Sequence, residues 1–504
     1  LILKSPPKLT RSQSYGLVFG IFAIIYGGCC APGLLWQDSG FIQYRVLHHD
    51  VNGFFGLALA HPLYYWVAFV VQAIPIGNSL FRINLISAVA GALAVANVFL
   101  LVRLWVGKSV PALLAAITLG LSHTFWRHAC IAETYTLWAM LFTLELVLLC
   151  EHVKTKKIIY LYALAGVNGL AISVHMFGCL SAVCLLGYGF SLCLKQQLNI
   201  RKISLTLLIW AIGTLPYSFL IIQGMIKSHD ISGTLVSVAF GDRWQDDVLN
   251  ASVTWRVVRE NILYMVLNCP TFNIGLILVG LCGVLKKQKD RAMVMLLWAM
   301  GLLFLLFAWR YTVADRYAFF IPFYCVMAVF LGLGLNDLLA KTRNPWLVRF
   351  VLAFSLCPVV IYGMTPKILH RWGINLGTRQ DIPYRDDLEY FLKPWKAGYV
   401  GAERFSKEVF EQLDEGAVLF ADPTTVAPLV LYQECHNIRS DVHVVSSVIH
   451  TFGAPDFSEA SLDKILETRP VYVVSARPGY SPSFLQENYQ LCQNGHVFQV
   501  IPLR

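Results

Sequence analysis

Charge is what this chain has least of. Only 14% of its 504 residues are charged, against about a quarter in ordinary soluble domains, which excludes a water-soluble globule of this size. Metal and haem signatures are missing as well. There are 13 cysteines but no CxxC pair, and Cys29-Cys30 falls inside an apolar run, so zinc and haem attachment have no support. Neither GxGxxG nor a phosphate-loop pattern occurs, so a nucleotide site has none either. His48-His49-Asp50 comes nearest to a metal motif. Adjacent loop residues seldom face one ion, and a third ligand at suitable spacing is lacking. No cofactor is expected, and a divalent ion is unsupported.

What is there is apolar. Hydrophobic residues make up 57% of the chain, gathered in runs near the roughly 20 residues that cross a bilayer. Such runs lie at 17–36, 80–102, 109–126, 131–150, 158–176, 179–194, 203–223, 262–285, 291–308, 317–340 and 346–364. The expected fold is a polytopic α-helical membrane protein of about eleven spans over 1–364, followed by a small soluble α/β domain over 365–504. Charge marks the same division: residues 1–364 hold 27 Lys+Arg and 13 Asp+Glu, and 365–504 hold 13 and 17. The formal net charge of +10 thus belongs to the membrane part, where it reports topology and not nucleic-acid binding. The opening LILKSPPKLTRSQSYG reads as the basic flank of a retained first span and not as a cleavable signal.

One more apolar stretch, HPLYYWVAFVVQAIP at 61–75, has two readings by length, a short span or a helix lying at the interface. Basic clusters separate them. If 61–75 does not cross, one side holds Lys4, Lys8 and Arg11, then Arg103 and Lys108, then Lys154, Lys156 and Lys157. The same side holds Lys195, Arg201 and Lys202, then Lys286, Lys287, Lys289 and Arg291, then Lys341 and Arg343. That is the positive-inside pattern. The stretch is therefore expected as a juxtamembrane helix in a long first outer loop, 37–79, with the N-terminus cytoplasmic. On the outer side this leaves Asp38, His48, His49, His61, Arg127, His128, Glu133, His175, Arg310, Asp315 and Arg316, with the loop 224–261 and the soluble domain. Ionisable groups converging on one face of an apolar bundle mark a functional site; for any one of them, interfacial anchoring is the plain alternative.

Four stretches share that face: LWQDSGFIQ (35–43), LAHPLYYW (59–66), LSHTFWRHACIAETYTLWAM (121–140) and VADRYAFFIPFY (313–324). An acid follows the first span, a His-Pro opens an aromatic amphipathic helix, an Arg/Glu pair fills a short outer turn, and an arginine precedes a span containing Ile-Pro. In that order they resemble the GT-C class of membrane glycosyltransferases. Within it the chain is most similar to the protein O-mannosyltransferase-like branch, which includes a vertebrate ER enzyme and bacterial relatives. Further likeness lies in YFLKPWKAGYVGAERFSKEVFEQL (390–413), AVLFADPTTVAPLVLYQE (417–434) and RSDVHVV (439–445). Two departures stand beside the presumed site: Phe41 where the family pattern continues with a glutamate, and Leu63-Tyr64 where it continues Pro-Gly.

The resemblance implies an inverting transfer of sugar from a polyprenyl-phosphate or dolichyl-phosphate carrier to a hydroxyl acceptor, on protein Ser/Thr or a glycan, at the extracytoplasmic face. A carboxylate there accepts the hydroxyl proton as the new bond forms, and Asp38 takes that role. Arginine forks suit the departing phosphate: Arg316 first, then Arg127, then Arg310. Glu133 pairs with Arg127 or bonds the sugar. His61, restricted by Pro62, and His175 are candidate substrate contacts. Trp36 and Tyr64 are candidates for stacking on a sugar or packing an isoprenoid, as interfacial aromatics otherwise form belts. Partners are the lipid-linked donor, the acceptor and membrane lipids, without nucleic acid; a bacterial cytoplasmic membrane is preferred to the ER.

In the soluble part AVLFAD, DVHVVS and PVYVVSA read as buried strands, while AERFSKEVFEQL and TVAPLVLYQE read as helices, giving a mostly parallel sheet. Asp422 ends a strand where such sheets bind ligands; the plain reading is a helix cap. Cys435 and Cys492 are read as free thiols. Two other functions compete. A transporter or flippase of a lipid-linked precursor would show internal repeats and mid-membrane charges, and neither is evident. A non-catalytic scaffold is kept open by Phe41.

Overall fold

The computed structural model describes residues 9–75, 77–285, 291–313, 315–342, 344–376, 379 and 381–503. Lys4, Lys8, Lys286, Lys287, Lys289 and Arg343, used above to read topology, lie outside the described residues. Helix α1 (Arg11–Cys29) begins six residues ahead of the apolar run because a capping box sets its start: Thr10 Oγ1 accepts from the Gln13 amide at 3.2 Å, and Gln13 Oε1 accepts from the Thr10 amide at 2.9 Å. It ends at Cys29, so residues expected in the first span become an extended connector to α2 (Gln37–Leu47). The connection between α1 and the next long helix thus contains a helix that periodicity did not announce, followed by α3 (Pro62–Gln72). At 11 residues α3 is about 16 Å long, too short to cross.

The bundle continues with α4 (Ser79–Val106), α5 (Ser109–Gly120), α6 (His123–Ala129), α7 (Tyr135–Thr155), α8 (Ile158–Val174), α9 (Phe177–Leu194) and α10 (Ile200–Ser228). Short helices α11 (Ile231–Phe240) and α12 (Gln245–Leu249) follow, then α13 (Trp255–Asn268), α14 (Ile274–Leu285), α15 (Arg291–Arg310), α16 (Ile321–Lys341) and α17 (Pro345–Arg371). By length and composition eight of the described helices can cross a membrane, and α5 with α6, bent by 69°, would make a ninth. The protein is an integral, multi-pass membrane protein. Three of the eleven expected spans are not among the eight, and one of them, 158–176, is the 17-residue α8. The stretch 109–126 bends where Ser122, extended at ψ 143°, interrupts the helix. The stretch 262–285 is broken between α13 and α14, because Pro270 has no amide to donate and forces Cys269 out of the helical region (ψ 70°).

Close backbone approach, not side-chain bulk, joins α14 to α16. A Cβ on Gly334 would lie 1.9 Å from the Leu276 carbonyl oxygen and 2.8 Å from the Gly280 nitrogen, the small-residue contact that lets membrane helices touch. Gly334→Val is expected to destabilise the bundle by roughly 2–3 kcal/mol, read as a fall in the detergent melting midpoint and in inserted yield; an unchanged midpoint would show that the helices can separate freely.

The soluble part holds α18 (Asp387–Leu392), α19 (Gly401–Gln412), β1 (Val418–Phe420), α20 (Val426–His436), β2 (His443–Val445), α21 (Glu459–Thr468), β3 (Val471–Val473), α22 (Ser483–Asn488), β4 (Tyr489–Asn494) and β5 (Val497–Pro502). The sheet order is β2-β1-β3-β5-β4. β1 pairs parallel with β2 and β3, as expected, but β4 and β5 add an antiparallel hairpin. Gly495-His496 turns that hairpin, directly after Asn494 at the end of β4, with Gly495 at φ 60° in the first central position, where such two-residue turns place glycine. Cys435 and Cys492 are free thiols.

This domain is docked on the bundle. Lys396 donates its amide to the Cys29 carbonyl at 2.7 Å, His123 Nε2 meets the Phe391 carbonyl at 2.7 Å, and Trp126 packs on Trp395.

Candidate active site

A cavity of about 430 Å³ lies where α2, the start of α7, the α8–α9 turn and the end of α15 meet. α2 supplies Asp38, Phe41, Ile42 and Arg45; the following loop supplies Phe54, Phe55 and His61; α3 supplies Tyr65. Glu133 and Tyr135 stand at the start of α7, and His175 and Phe177 at the turn between α8 and α9. Phe240, Trp244 and Val248 close it from the 224–261 loop, Phe307 and Tyr311 from the end of α15, and Asp315 and Phe319 from the approach to α16. Pro423 of the soluble domain completes the wall. Most of the lining is aromatic or aliphatic, with a polar floor.

Three carboxylates share that floor: Asp38, Glu133 and Asp315. Asp38 occupies the first turn of α2, where the helix end favours its negative charge by less than about 1 kcal/mol. Water reaches it from the cavity, while protein closes round the remainder of the side chain. Desolvation and the nearby Asp315 outweigh the helix end and push Asp38 up to about 7. Desolvation also raises Asp315. Glu133 is raised well above its ordinary value, by desolvation and then by Asp38 and Asp315, although it accepts from Ser39 Oγ at 3.1 Å. Acids held partly protonated near neutral pH are the kind that exchange protons in catalysis.

His61 and His175 stack, with ring centroids 5.0 Å apart. His61, at φ 50° ahead of Pro62, donates Nδ1–H to the Val174 carbonyl at 2.8 Å, and burial and Arg45 lower it to about 4. It is therefore a neutral ring with Nε2 free to accept. His175 Nδ1 accepts from the Phe177 amide at 3.2 Å, which leaves its Nε2 as donor.

Asp38, Glu133, His61 and His175 are thus brought together. The other expected contacts stand elsewhere. Arg316 is buried against Glu260, with which it forms an ion pair, and donates Nε–H to Asn261 Oδ1 at 3.2 Å. Arg127 donates to the Tyr317 hydroxyl at 3.1 Å and the Tyr390 carbonyl at 2.9 Å. Both arginines are held by protein partners because a buried guanidinium must find acceptors. Arg310 caps the Val248 carbonyl and that of Asn250, the latter at 3.1 Å, and lies over Phe307; it therefore touches two residues of the cavity wall. Trp36 donates Nε1–H to the Tyr399 hydroxyl at 2.5 Å and packs on Phe405, so it belongs to the docking surface of the soluble domain. Tyr64 is fully buried in the bundle core, and its neighbour Tyr65 lines the cavity instead. Phe41 lines the cavity and meets Phe55 edge-on at 5.9 Å: where an acid was expected stands an aromatic wall.

Sequence reasoning placed Asp315 on this face without assigning it a role, and it missed Arg45. Arg45 is nearly buried and donates to the carbonyls of Val51 (2.7 Å), Ala60 (3.0 Å) and Leu59 (3.2 Å), with Tyr65 beneath its guanidinium carbon at 3.9 Å. Its presence requires Gly53, at φ 76°, because a Cβ there would lie 2.7 Å from Arg45 Cζ. His48, His49 and Asp50 diverge: His48 faces Glu434, His49 packs on Phe69, and Asp50 accepts from the Asn52 and Gly53 amides. Among the described residues no group of three His, Cys, Asp or Glu is placed to hold a metal ion. Asp422 is buried; its Oδ1 accepts from the Thr424 amide at 2.8 Å and from Arg379 at 2.7 Å.

Residues 57–198, which supply α3, Glu133 and both histidines of this cavity, match the family model described as the Protein O-mannosyl-transferase TMEM260 N-terminal domain. The chain resembles that family. It is 22% identical over 474 residues to Protein O-mannosyl-transferase TMEM260 of Mus musculus, an alignment covering 86% of this chain and 62% of the mouse protein. The chain thus spans less than two thirds of that curated relative's length. ArnT from Cupriavidus metallidurans bound to undecaprenyl phosphate aligns at a TM-score of 0.58 and 12% identity, over 97% of this chain and 98% of ArnT. The apo form of ArnT aligns at 0.57. At that identity the likeness is one of fold alone.

Proposed function

We propose that the chain is a GT-C glycosyltransferase that moves a sugar from a polyprenyl-phosphate carrier to a hydroxyl acceptor, a protein Ser/Thr or a glycan, with inversion. The supporting observation is Asp38, a carboxylate of raised proton affinity, on the floor of a cavity whose other walls are apolar. Asp38 takes the acceptor O–H proton as that oxygen bonds the anomeric carbon. The bond from that carbon to the phosphate oxygen breaks, and the carrier phosphate leaves with the electron pair. Glu133, Asp315 and the two neutral histidines offer hydrogen bonds to sugar hydroxyls, and the phenylalanine-lined side accommodates isoprene units. Arg310, which touches the wall at Val248 and Phe307, is the first candidate for the phosphate; Arg127 and Arg316 are second to it, since their partners would have to yield. The catalytic face and the soluble domain are placed outside a bacterial cytoplasmic membrane, with the chain's start inside. The names of the mouse relative and of ArnT, the one an O-mannosyl-transferase and the other bound to undecaprenyl phosphate, accord with this donor and acceptor class.

Undecaprenyl phosphate tests the donor half. At a concentration about 100 times its dissociation constant it should add about 2.7 kcal/mol to stability, a clear rise in melting midpoint. Dodecyl phosphate, which has the headgroup without the isoprenoid, should give much less. Equal responses to both lipids would sink the carrier assignment.

A further inference from the structure

Gln37, the residue before Asp38, sits in the left-handed region at φ 53°, a conformation that non-glycine residues take up only where their surroundings impose it. The soluble domain imposes it from two directions. The Gln37 amide, one of the unpaired donors at the start of α2, donates to the Thr424 carbonyl at 3.2 Å. The Gln37 side-chain oxygen accepts from Arg385 Nη2 at 2.9 Å. Thr424 is itself fixed, since Asp422 and Arg379 hold the turn that carries it. That turn also puts Pro423 into the cavity wall. At the far end of α2, His48 Nε2 lies 3.2 Å from Glu434 Oε1 of α20, so the helix bearing Asp38 is gripped at both ends by a domain distant in sequence.

We propose that Gln37 is a positioning residue: the soluble domain holds its backbone left-handed, and this aims the Asp38 carboxylate into the cavity. The soluble domain then does more than meet an acceptor; it completes the geometry of the site. A base role for Asp38 is the premise for its effect on turnover, whereas the aim of the side chain can be read without substrate.

Asp315, Glu133, Tyr65 and Tyr135 interact with Asp38 electrostatically, and Arg45, His61, His175 and Tyr311 line the same cavity. An Asp38 turned out of that company becomes an ordinary carboxylate. The hydrophobic carbodiimide dicyclohexylcarbodiimide reacts with protonated carboxyls, so the pH dependence of Asp38 labelling, mapped by mass spectrometry on the full-length detergent-purified protein, reports its surroundings. Gln37→Gly, Gln37→Ala and Gln37→Val form a graded series, because glycine takes positive φ freely and a β-branched residue resists it. The Val variant should lower the labelling midpoint by about one pH unit, a roughly fivefold slower reaction at pH 7. Ala should fall between, and Gly should restore most of the loss. If Val does not fold, the Gly and Ala pair carries the comparison. Identical midpoints through the series would overturn the proposal. Asp38→Asn, assayed beside them for sugar transfer from undecaprenyl-phosphate mannose, separates the two ideas. Transfer retained there removes the base role, while a midpoint that still moves with residue 37 keeps the positioning.

Discussion

Asp38→Asn leaves a folded, inserted protein whose transfer of sugar from undecaprenyl-phosphate mannose falls by about 10²–10⁴-fold, the range that a positioned proton acceptor supplies. Asparagine keeps the shape and loses the basicity. The melting shift caused by undecaprenyl phosphate persists, because the carrier's phosphate and tail are met by other parts of the cavity. The variant also melts higher than the parent at neutral pH and above. The sign follows from the shift: Asp38 binds its proton more tightly folded than unfolded, near 7 against an ordinary 3.8. The fold is therefore favoured fully below the unfolded value, and this contribution is lost as pH rises through the folded one. Removing the ionisation removes that loss. For the parent, the rate should climb with pH through neutrality and level off above it, and the asparagine variant should lack the climb. A variant that transfers at the parent rate would move the base to Glu133 or Asp315, the two other acids on the same floor.

The fold was readable wherever composition alone decides it. Apolar runs located the bundle, basic clusters kept 61–75 out of the membrane, and alternation in 417–474 gave three parallel strands. Three things could not be read this way, each for a physical reason. The break after Asn268 is set by Pro270, with Asn268, Thr271 and Asn273 beside it, inside a stretch read as one span. Helix α2 carries Asp38, Arg45 and several polar residues between aromatics, because it is covered by the soluble domain and not by lipid; its periodicity reports a partner some 350 residues away. The hairpin β4–β5 did have a local signal, Gly495 in its turn, and reading only buried strands passed over it. Asp38, Glu133, His61 and His175 were picked by their place in the stretches that carry the family resemblance, and all four line one cavity. Arg316 and Arg127 were chosen on the same ground and stand against Glu260 and the Tyr390 carbonyl. One-dimensional spacing does not say whether a buried guanidinium turns toward a ligand or toward the protein's own oxygens.

Arg45 settles that question at its own position, and its removal should have the largest effect on stability. Its guanidinium closes three carbonyls, those of Val51, Leu59 and Ala60, in a loop with no regular ladder to satisfy them. Arg45→Met keeps most of the volume and deletes the donors. Orphaning a buried acceptor costs about 1–3 kcal/mol each, and three are orphaned here. The melting midpoint should therefore drop by many degrees, and the undecaprenyl-phosphate shift should vanish with the wall formed by Phe54, Phe55 and Leu59. Asp50→Asn is the control. Asp50 stands 3.6 Å from Arg45 Nε and is partly exposed, so the ion pair is worth under about 1 kcal/mol. Asparagine still offers an oxygen to the amides of Asn52 and Gly53. Should Asp50→Asn prove as damaging as Arg45→Met, Coulomb attraction and not carbonyl capping would be what holds this loop over the cavity. A markedly milder effect means that Arg45 serves as a scaffold built into the wall and not as a ligand for the carrier phosphate.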